Sequence, residues 1–152
     1  MFNIALVHPD IPQNTGNVAR LCVGLRARLH LVKPMSFAID DKKLKRAGLD
    51  YWKDLDLKMH DSLAEFLAEF SGQRMHFMTT KSKTPYTAAS FKKADVLVFG
   101  SESSGLPIEL LEQNWQRALT IPMFGPIRSL NLATSVGIVA YEAVRQIGAS
   151  GA

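Results

Sequence analysis

The chain has 152 residues, of which 47% are hydrophobic and 21% charged, as is typical of one soluble globular domain spanning residues 1–152. Its single cysteine, Cys22, excludes an internal disulfide and a CxxC metal or redox site. The first residues do not form a signal peptide, and no apolar run reaches the ~20 residues of a membrane helix. We therefore expect a cytoplasmic protein with no membrane partner.

The net charge is +4, and eight of the 18 basic residues lie in two segments of the sequence, four in each. Their basic residues are Lys42, Lys43, Lys45 and Arg46 in the first, and Lys81, Lys83, Lys92 and Lys93 in the second. Such clusters are either ordinary solvated surface or a surface that follows the phosphates of a nucleic acid. The composition leaves both readings open, because no RNP, zinc-finger or helix-turn-helix pattern accompanies the lysines.

Short apolar runs recur along the chain and predict strands that are buried on both faces of a parallel sheet. They cover residues 4–7, 29–32, 76–78, 96–100 and 119–121. Helical patterns lie between the runs, over 15–25, 62–70, from Pro107 toward Trp115, and 131–147. This alternation predicts an α/β fold. Because ligands bind at the carboxyl ends of such strands, the functional residues are expected in the loops that follow the runs.

The first of these loops is "HPDIPQNTGNVAR", residues 8–20. Asn14 or Thr15 is a candidate cap for the helix that follows. Arg20 is close to the predicted start of that helix, where a positive charge opposes the macrodipole at a cost of a few tenths of a kcal/mol. An unfavourable local choice at a ligand-facing end indicates function, although an exposed helical arginine is more often simply solvated.

The second loop is "FGSESSGLP", residues 99–107. Its glycine spacing is that of a P-loop, but Leu106 and Pro107 stand where the Lys and Ser/Thr are required. A nucleophile elbow is excluded as well, because Glu102 occupies the serine position of G-x-S-x-G. What remains is either a plain strand-to-helix turn or a turn with one carboxylate, suited to a ligand that offers hydroxyls or an ammonium group.

The third loop, "GPIRSLNLATS", leads into the apolar C-terminal helix. A glycine and a proline interrupt the chain, and Arg128, Ser129 and Asn131 precede the helix. The exposed N–H groups at a helix start attract carboxylates and phosphates. The same residues are also compatible with an ordinary capped helix start.

Together the three loops resemble the motifs of the SPOUT methyltransferases, in their 2′-O-ribose branch. The pattern N-x-x-x-x-x-R is present from Asn14 to Arg20, G-x-E-x-x-G-L from Gly100 to Leu106, and I-P-M followed by S-L-N-L from Ile121 to Leu132. The match spans nearly the whole chain and is most similar to members that act on the wobble nucleotide of tRNA.

This resemblance implies a parallel-sheet α/β knot with a deep C-terminal trefoil knot, and a homodimer. The last helix is apolar over more of its circumference than one sheet contact needs, so we expect the dimer to form through it and the first helix. It implies S-adenosylmethionine as cofactor and no metal. The positions that match the family's cofactor contacts are Met78, Gly100, Glu102, Ile121, Ser129 and Leu130. The four histidines have no ligand spacing and are predicted to be structural: His8, His30, His60 and His76.

The implied activity is 2′-O-methylation of the ribose at nucleotide 34 of leucine tRNAs. The catalytic positions by resemblance are Arg20, Asn14, Ser129 and Asn131. The expected RNA-binding positions are Arg20, Lys42, Lys43, Lys45, Arg46 and Tyr141. Arg20 is either a base or a phosphate clamp, and the clamp is favoured because a guanidinium is a poor base. Glu102 is expected to brace the site, and Tyr141 contacts RNA or the dimer partner.

Two alternatives remain open at this point. The enzyme could methylate another tRNA or rRNA site, because fold and cofactor motifs do not select the RNA. The chain could also be a non-catalytic RNA-binding module with the same fold, although the presence of Arg20, Asn14 and Ser129 disfavours that reading.

Overall fold

The structure is a computed structural model that describes residues 1–40, 42 and 50–148. Within these residues the chain forms a six-stranded sheet in the order β3-β2-β1-β5-β4-β6. All neighbouring strands pair in parallel. The strands are β1 (Asn3–Val7), β2 (Arg28–Val32), β3 (Leu57–His60), β4 (Met75–Met78), β5 (Val96–Phe99) and β6 (Ala118–Leu119).

Three α-helices of the described residues each connect two strands, a fourth follows β6, and together they cover both faces of the sheet. They are α1 (Pro12–Leu25), α2 (Leu63–Glu69), α3 (Ile108–Gln113) and α4 (Leu132–Ile147). Short 3-10 helices lie at Asp50–Asp54, Tyr86–Ala88 and Trp115–Arg117. None of the described helices is long and apolar enough to cross a membrane.

The core consists of one apolar layer on each face of the sheet. Ile4 and Leu6 belong to the layer that packs against α1 and α4. Ala5 and Val7, which alternate with them along β1, belong to the layer that packs against α2 and α3. Strands that are buried on both faces have continuous apolar sequences. The prediction of a parallel α/β sheet from such sequences is therefore confirmed.

Strand β3 was not predicted, and its sequence explains why. It forms an edge of the sheet, and Lys58 is exposed between the half-buried Leu57 and Met59. An edge strand of this kind contains no continuous apolar run. The predicted strand at 119–121 is also shorter than expected: β6 ends at Leu119, and Thr120 forms an isolated bridge with Pro85.

The beginning of α1 differs from the prediction. The helix starts at Pro12, its N-cap is Ile11, and no side chain caps it, so the prediction that Asn14 or Thr15 is the cap was wrong. Arg20 is therefore the ninth residue of the helix rather than a residue of its first turns. The macrodipole acts within the first and last turns, so it does not single out Arg20.

Candidate active site

A cleft of about 560 Å³ lies at the carboxyl edge of the sheet, where the loops after β1, β4, β5 and β6 meet. The residues that line it include all six predicted cofactor positions, namely Met78, Gly100, Glu102, Ile121, Ser129 and Leu130. Asn14 and Asn131 line the same cleft. The structure therefore brings the three loops together around one space.

The loop after β5 is a tight turn that only glycine permits at its base. Ser101 and Gly105 exchange two backbone hydrogen bonds, of 3.3 and 2.9 Å. A Cβ atom on Gly100 would lie 2.1 Å from the carbonyl carbon of Gly105. Gly105 has a φ of 69°, in the left-handed region that favours glycine. This turn forms one wall of the cleft with its backbone.

The carboxylate of Glu102 binds the first loop. It accepts hydrogen bonds from the backbone N–H of Asp10 at 2.7 Å and of Ile11 at 3.2 Å. It also accepts one from the side-chain amide of Asn14, again at 3.2 Å. A carboxylate from another loop therefore holds the backbone that leads into α1, including the N–H of the N-cap residue Ile11.

Asn14 and Asn131 connect this arrangement to the third loop. The Nδ2 of Asn131 donates to the Oδ1 of Asn14 at 2.9 Å, and the Oδ1 of Asn131 accepts from the N–H of Thr134 to cap α4. Because the Glu102 carboxylate can only accept, Asn14 must present its NH₂ to Glu102 and its oxygen to Asn131. The orientation of all three side chains is thereby fixed.

Asp10 provides a second connection between the first two loops. Its Oδ2 accepts from the backbone N–H of Ser103 at 3.2 Å and from the Ser103 hydroxyl. These hydrogen bonds lower the pKa of Asp10 below its ordinary value. The hydrogen bonds from Ser103 therefore favour the ionised carboxylate.

Arg20 does not line this cleft. It lies six residues after Asn14 on α1, which places it about 9 Å along the helix and on another side of it. Its guanidinium carbon is 5.6 Å from the ring centroid of Tyr51, and the Tyr51 hydroxyl donates to the carbonyl of Gly16 at 3.0 Å. Within a single chain, Arg20 and the other predicted catalytic residues are not brought together.

The structure describes only some of the expected RNA-binding residues. Lys42 is exposed, whereas Lys43, Lys45 and Arg46 lie outside the described residues. Tyr141 is exposed on α4 and does not line the cleft. Its assignment to RNA or to a dimer partner therefore stays a prediction.

The second basic segment divides between opposite edges of the sheet. Lys81 and Lys83 follow β4 at the carboxyl edge, and Lys81 lines the cleft. Lys92 and Lys93 precede β5 and so lie at the amino edge. The sequence placed Lys81 only within a basic segment that could follow phosphates, and it gave Asp10 no role. Their positions directly after predicted strands are the signal that could have found them.

Three of the histidines are buried and have polar partners inside the protein. His30 and His60 are joined at 2.9 Å between Nδ1 and Nε2, and His76 Nε2 lies 2.9 Å from the Asp95 carboxylate. Burial lowers the pKa of His30 to about 4. These contacts support a structural role for the three residues, while His8 lies at the carboxyl edge near the cleft.

The cleft suits a nucleoside-like molecule with an apolar ring and a polar sugar. Met78, Ile121 and Leu130 supply apolar surface, and Thr120 and Ser129 add hydroxyl groups to the lining. Ligand sites of this size typically combine a mainly apolar lining with a few well-placed polar groups. The residues present therefore fit the adenosyl part of S-adenosylmethionine.

Known proteins that are similar to this chain over nearly its whole length are RNA methyltransferases. A tRNA (cytidine(34)-2′-O)-methyltransferase of Escherichia coli (strain K12) is 44% identical, over 100% of this chain and 98% of the relative. A solved structure, described as giving structural insights into the 2-OH methylation of C/U34 on tRNA, is 48% identical with a TM-score of 0.90. That alignment covers 96% of this chain and 95% of the other.

An AdoMet-bound rRNA methyltransferase from Sinorhizobium meliloti is 25% identical, with a TM-score of 0.84, over 97% of this chain and 57% of that one. The expected α/β fold class is confirmed, and the similarity to these structures is consistent with a knotted chain. The model of the SpoU rRNA Methylase family matches residues 1–141. The chain belongs to that family.

Proposed function

We propose that this protein transfers a methyl group from S-adenosylmethionine to the ribose 2′-hydroxyl of nucleotide 34 in tRNA, and that it works in the cytoplasm. The observation that carries the proposal is the hydrogen-bonded series Glu102–Asn14–Asn131, which holds three motif loops around one cleft. The relatives named for this reaction support the choice of nucleotide.

Met78, Gly100, Ile121 and Leu130 would hold the cofactor in the cleft. When bound, S-adenosylmethionine supplies an electrophilic methyl group on a sulfonium. The product S-adenosylhomocysteine should therefore bind to the purified protein and raise its melting temperature, since any ligand of the native state does so. Absence of both a melting shift and calorimetric heat at saturating ligand would contradict the cofactor assignment.

Ser129 is the predicted catalytic residue best placed to touch the substrate ribose. Its side chain is exposed at the cleft. The side-chain amides of Asn14 and Asn131 are both engaged in holding loops. We therefore assign Ser129 to contact with the substrate, and Asn14 and Asn131 to positioning. Alignment of the reacting groups by such residues can supply several kcal/mol of the rate enhancement.

A two-fold dimer through α1 and α4 is part of this proposal. On α4, the half-buried Ile138 and the exposed Tyr141 lie three residues apart on the outer side of the helix. Arg20 projects from α1, which packs beside α4. Because Arg20 lies outside the cleft of its own chain, such a dimer is the arrangement in which it can reach the cleft of a second copy and clamp an RNA phosphate there.

Mixed dimers test this arrangement directly. Arg20→Ala and Ser129→Ala chains should each be inactive alone, because each lacks one part of every site. If Arg20 acts across the interface, each mixed dimer should have one complete site, with Ser129 from one chain and Arg20 from the other, and activity should return. No restored activity in verified mixed dimers would show instead that Arg20 acts within its own chain.

The RNA is held, in this proposal, by the basic segment from Lys42 to Arg46 and by Tyr141, and the substrates are leucine tRNAs. Mapping of 2′-O-methyl groups in RNA from a deletion strain, with and without this gene, tests the reaction and its substrate together. A methyl group that depends on the gene at another tRNA or rRNA position would replace nucleotide 34 as the target. No gene-dependent methyl group would favour a non-catalytic RNA-binding module.

A further inference from the structure

A second cleft, of about 590 Å³, lies beside the first at the carboxyl edge of the sheet. The turn that includes Ser101 and Gly105 forms a wall of both clefts. Lys81 also lines both. A molecule in the second cleft would therefore lie next to the cofactor site, on the other side of a thin backbone wall.

The walls of the second cleft are apolar on two sides. Pro34 and Met35, from the loop after β2, form one part, and Pro107 and Ile108, at the start of α3, form another. Ile108 is a large hydrophobic side chain with 47% of its surface exposed. Apolar surfaces of this kind favour the faces of a flat ring.

The polar part of the lining comes from His8, Asp10 and Lys81. His8 has a left-handed φ of 55°, a conformation that costs about 1–2 kcal/mol for a residue with a side chain. Its Nδ1 is buried and has no hydrogen-bond partner among the described residues, so a ligand in the cleft would meet the other ring nitrogen, Nε2. A neutral histidine ring can donate from one nitrogen and accept at the other.

The charges of this lining favour a neutral aromatic occupant over a phosphate. Asp10 and Lys81 both line the second cleft. A phosphate placed beside Asp10 would be repelled by the negative charge of its carboxylate. The exocyclic amino group of a base suits a carboxylate acceptor. Lys81 is exposed on the boundary between the two clefts, so it can contact the phosphate that follows the base.

We propose that the second cleft receives an unstacked base of the RNA substrate, with its ring against Ile108 and Met35 and its polar edge toward His8 and Asp10. Single-stranded RNA is commonly recognised in this way, by packing of the ring faces and hydrogen bonds to the edge. The inference rests on the proposed function, because the base belongs to the nucleotide that is methylated or to its neighbour.

The first test is photocrosslinking of wild-type protein to a tRNA that carries 4-thiouridine at the target nucleotide or at its neighbours. The account predicts crosslinked peptides that contain His8, residues 34–36 or residues 107–108. If wild-type protein methylates this RNA and the crosslinks lie only elsewhere, the inference is wrong while the proposed function stands. If wild-type protein methylates no RNA, both are wrong.

The second test uses Ile108→Glu, with Trp115→Glu as a matched control. Ile108 is the first residue of α3, where a glutamate favours the helix, so the variant should fold. Trp115 is equally exposed but precedes β6 at the opposite edge of the sheet. Ile108→Glu should raise the KM for tRNA at least tenfold, and Trp115→Glu should change it less than twofold.

Two further measurements distinguish an RNA base in this cleft from the cofactor and from a second copy of the chain: the affinity for S-adenosylhomocysteine and the oligomeric state. The account predicts that both stay at wild-type values in Ile108→Glu and in His8→Ala, and that His8→Ala changes the ratio of kcat/KM between cytidine and uridine substrates. Loss of cofactor affinity in His8→Ala would assign the cleft to the cofactor instead. Dissociation of a dimer by Ile108→Glu would assign it to a second copy of the chain.

Discussion

Asn14 and Asn131 stand 117 positions apart in the sequence, yet the amide of Asn131 donates to the side-chain oxygen of Asn14 at 2.9 Å. Asn14 in turn donates to Glu102, which also accepts from the backbone of Asp10 and Ile11. The cleft is therefore held together by side chains from the loops that line it. Its shape should depend on each member of this series.

Glu102→Gln tests the carboxylate of the series. The Glu102 side chain faces three donors, and a glutamine offers one acceptor oxygen and an NH₂ group that opposes the remaining donors. We expect a loss of about 1–3 kcal/mol in the free energy of unfolding, the usual cost of leaving such groups unsatisfied. Urea unfolding measures it, with the exposed Glu112→Gln on α3 as control. Equal unfolding free energies for the two variants would show that Glu102 does not brace the loops.

Gly100→Ala tests the tight turn. The new Cβ would lie 2.1 Å from the backbone of Gly105, so the turn must shift and the cleft wall with it. We expect the affinity for S-adenosylhomocysteine, measured by calorimetry, to fall at least tenfold. Gly24→Ala is the control, because its added Cβ has no atom within 4 Å apart from its chain neighbours and the backbone of its own helix, and alanine favours the helix. Wild-type affinity in Gly100→Ala would mean that this turn does not shape the cofactor site.

The sequence was sufficient to locate the cleft, because its residues follow buried strands. Met78 and Gly100 stand at the ends of apolar runs, and parallel strands bring such ends to one edge. The edge strand β3 could not be found in this way. Lys58 interrupts its apolar residues, and pairing with β2 on one side determines its conformation.

The contacts between loops could not be predicted either. Glu102 reaches Asn14 across 88 positions, and no local pattern encodes such a pairing. The position of Arg20 relative to the cleft depends on where α1 begins. At that start no local side chain caps the helix, and the Glu102 carboxylate accepts from the N–H of the N-cap residue Ile11. Helix starts that are stabilised from another part of the chain lack the usual sequence signal.

The buried histidines should make stability depend on pH. Burial holds the pKa of His30 at about 4, below its ordinary value of 6.5. Below pH 6.5 the unfolded chain binds a proton that the folded protein does not, so stability falls as the pH is lowered toward about 4. Between about pH 6.5 and pH 5 the loss from His30 should be on the order of 2 kcal/mol.

Denaturant unfolding of wild-type protein and His30→Gln at about pH 7.5 and pH 5 measures this effect. The variant should lose less stability than the wild type over the same interval, because one titrating group has been removed. The informative quantity is the change in unfolding free energy between the two pH values. It does not depend on how much stability the substitution costs at neutral pH. An identical pH dependence in both proteins would contradict the assignment.

Arg20→Ala separates catalysis from cofactor binding. Arg20 does not line the cleft, so the affinity for S-adenosylhomocysteine should change less than twofold. Turnover at saturating tRNA should fall by orders of magnitude if a contact made in the transition state is lost. Arg20→Lys should restore little activity, because lysine lacks the planar fork that binds a phosphate bidentately. Wild-type turnover in Arg20→Ala would place the catalytic centre elsewhere.

Methyl transfer by the purified protein to leucine tRNA isolated from a strain that lacks this gene, and that therefore carries its other modifications, is the most direct test of the central claim. The tRNA is incubated with S-adenosylmethionine, and the product is digested and mapped by mass spectrometry. The account predicts one added methyl group, on the 2′-oxygen of nucleotide 34, and none with Ser129→Ala. An added methyl group on a base or on a different nucleotide, or no added methyl group at all, would contradict it.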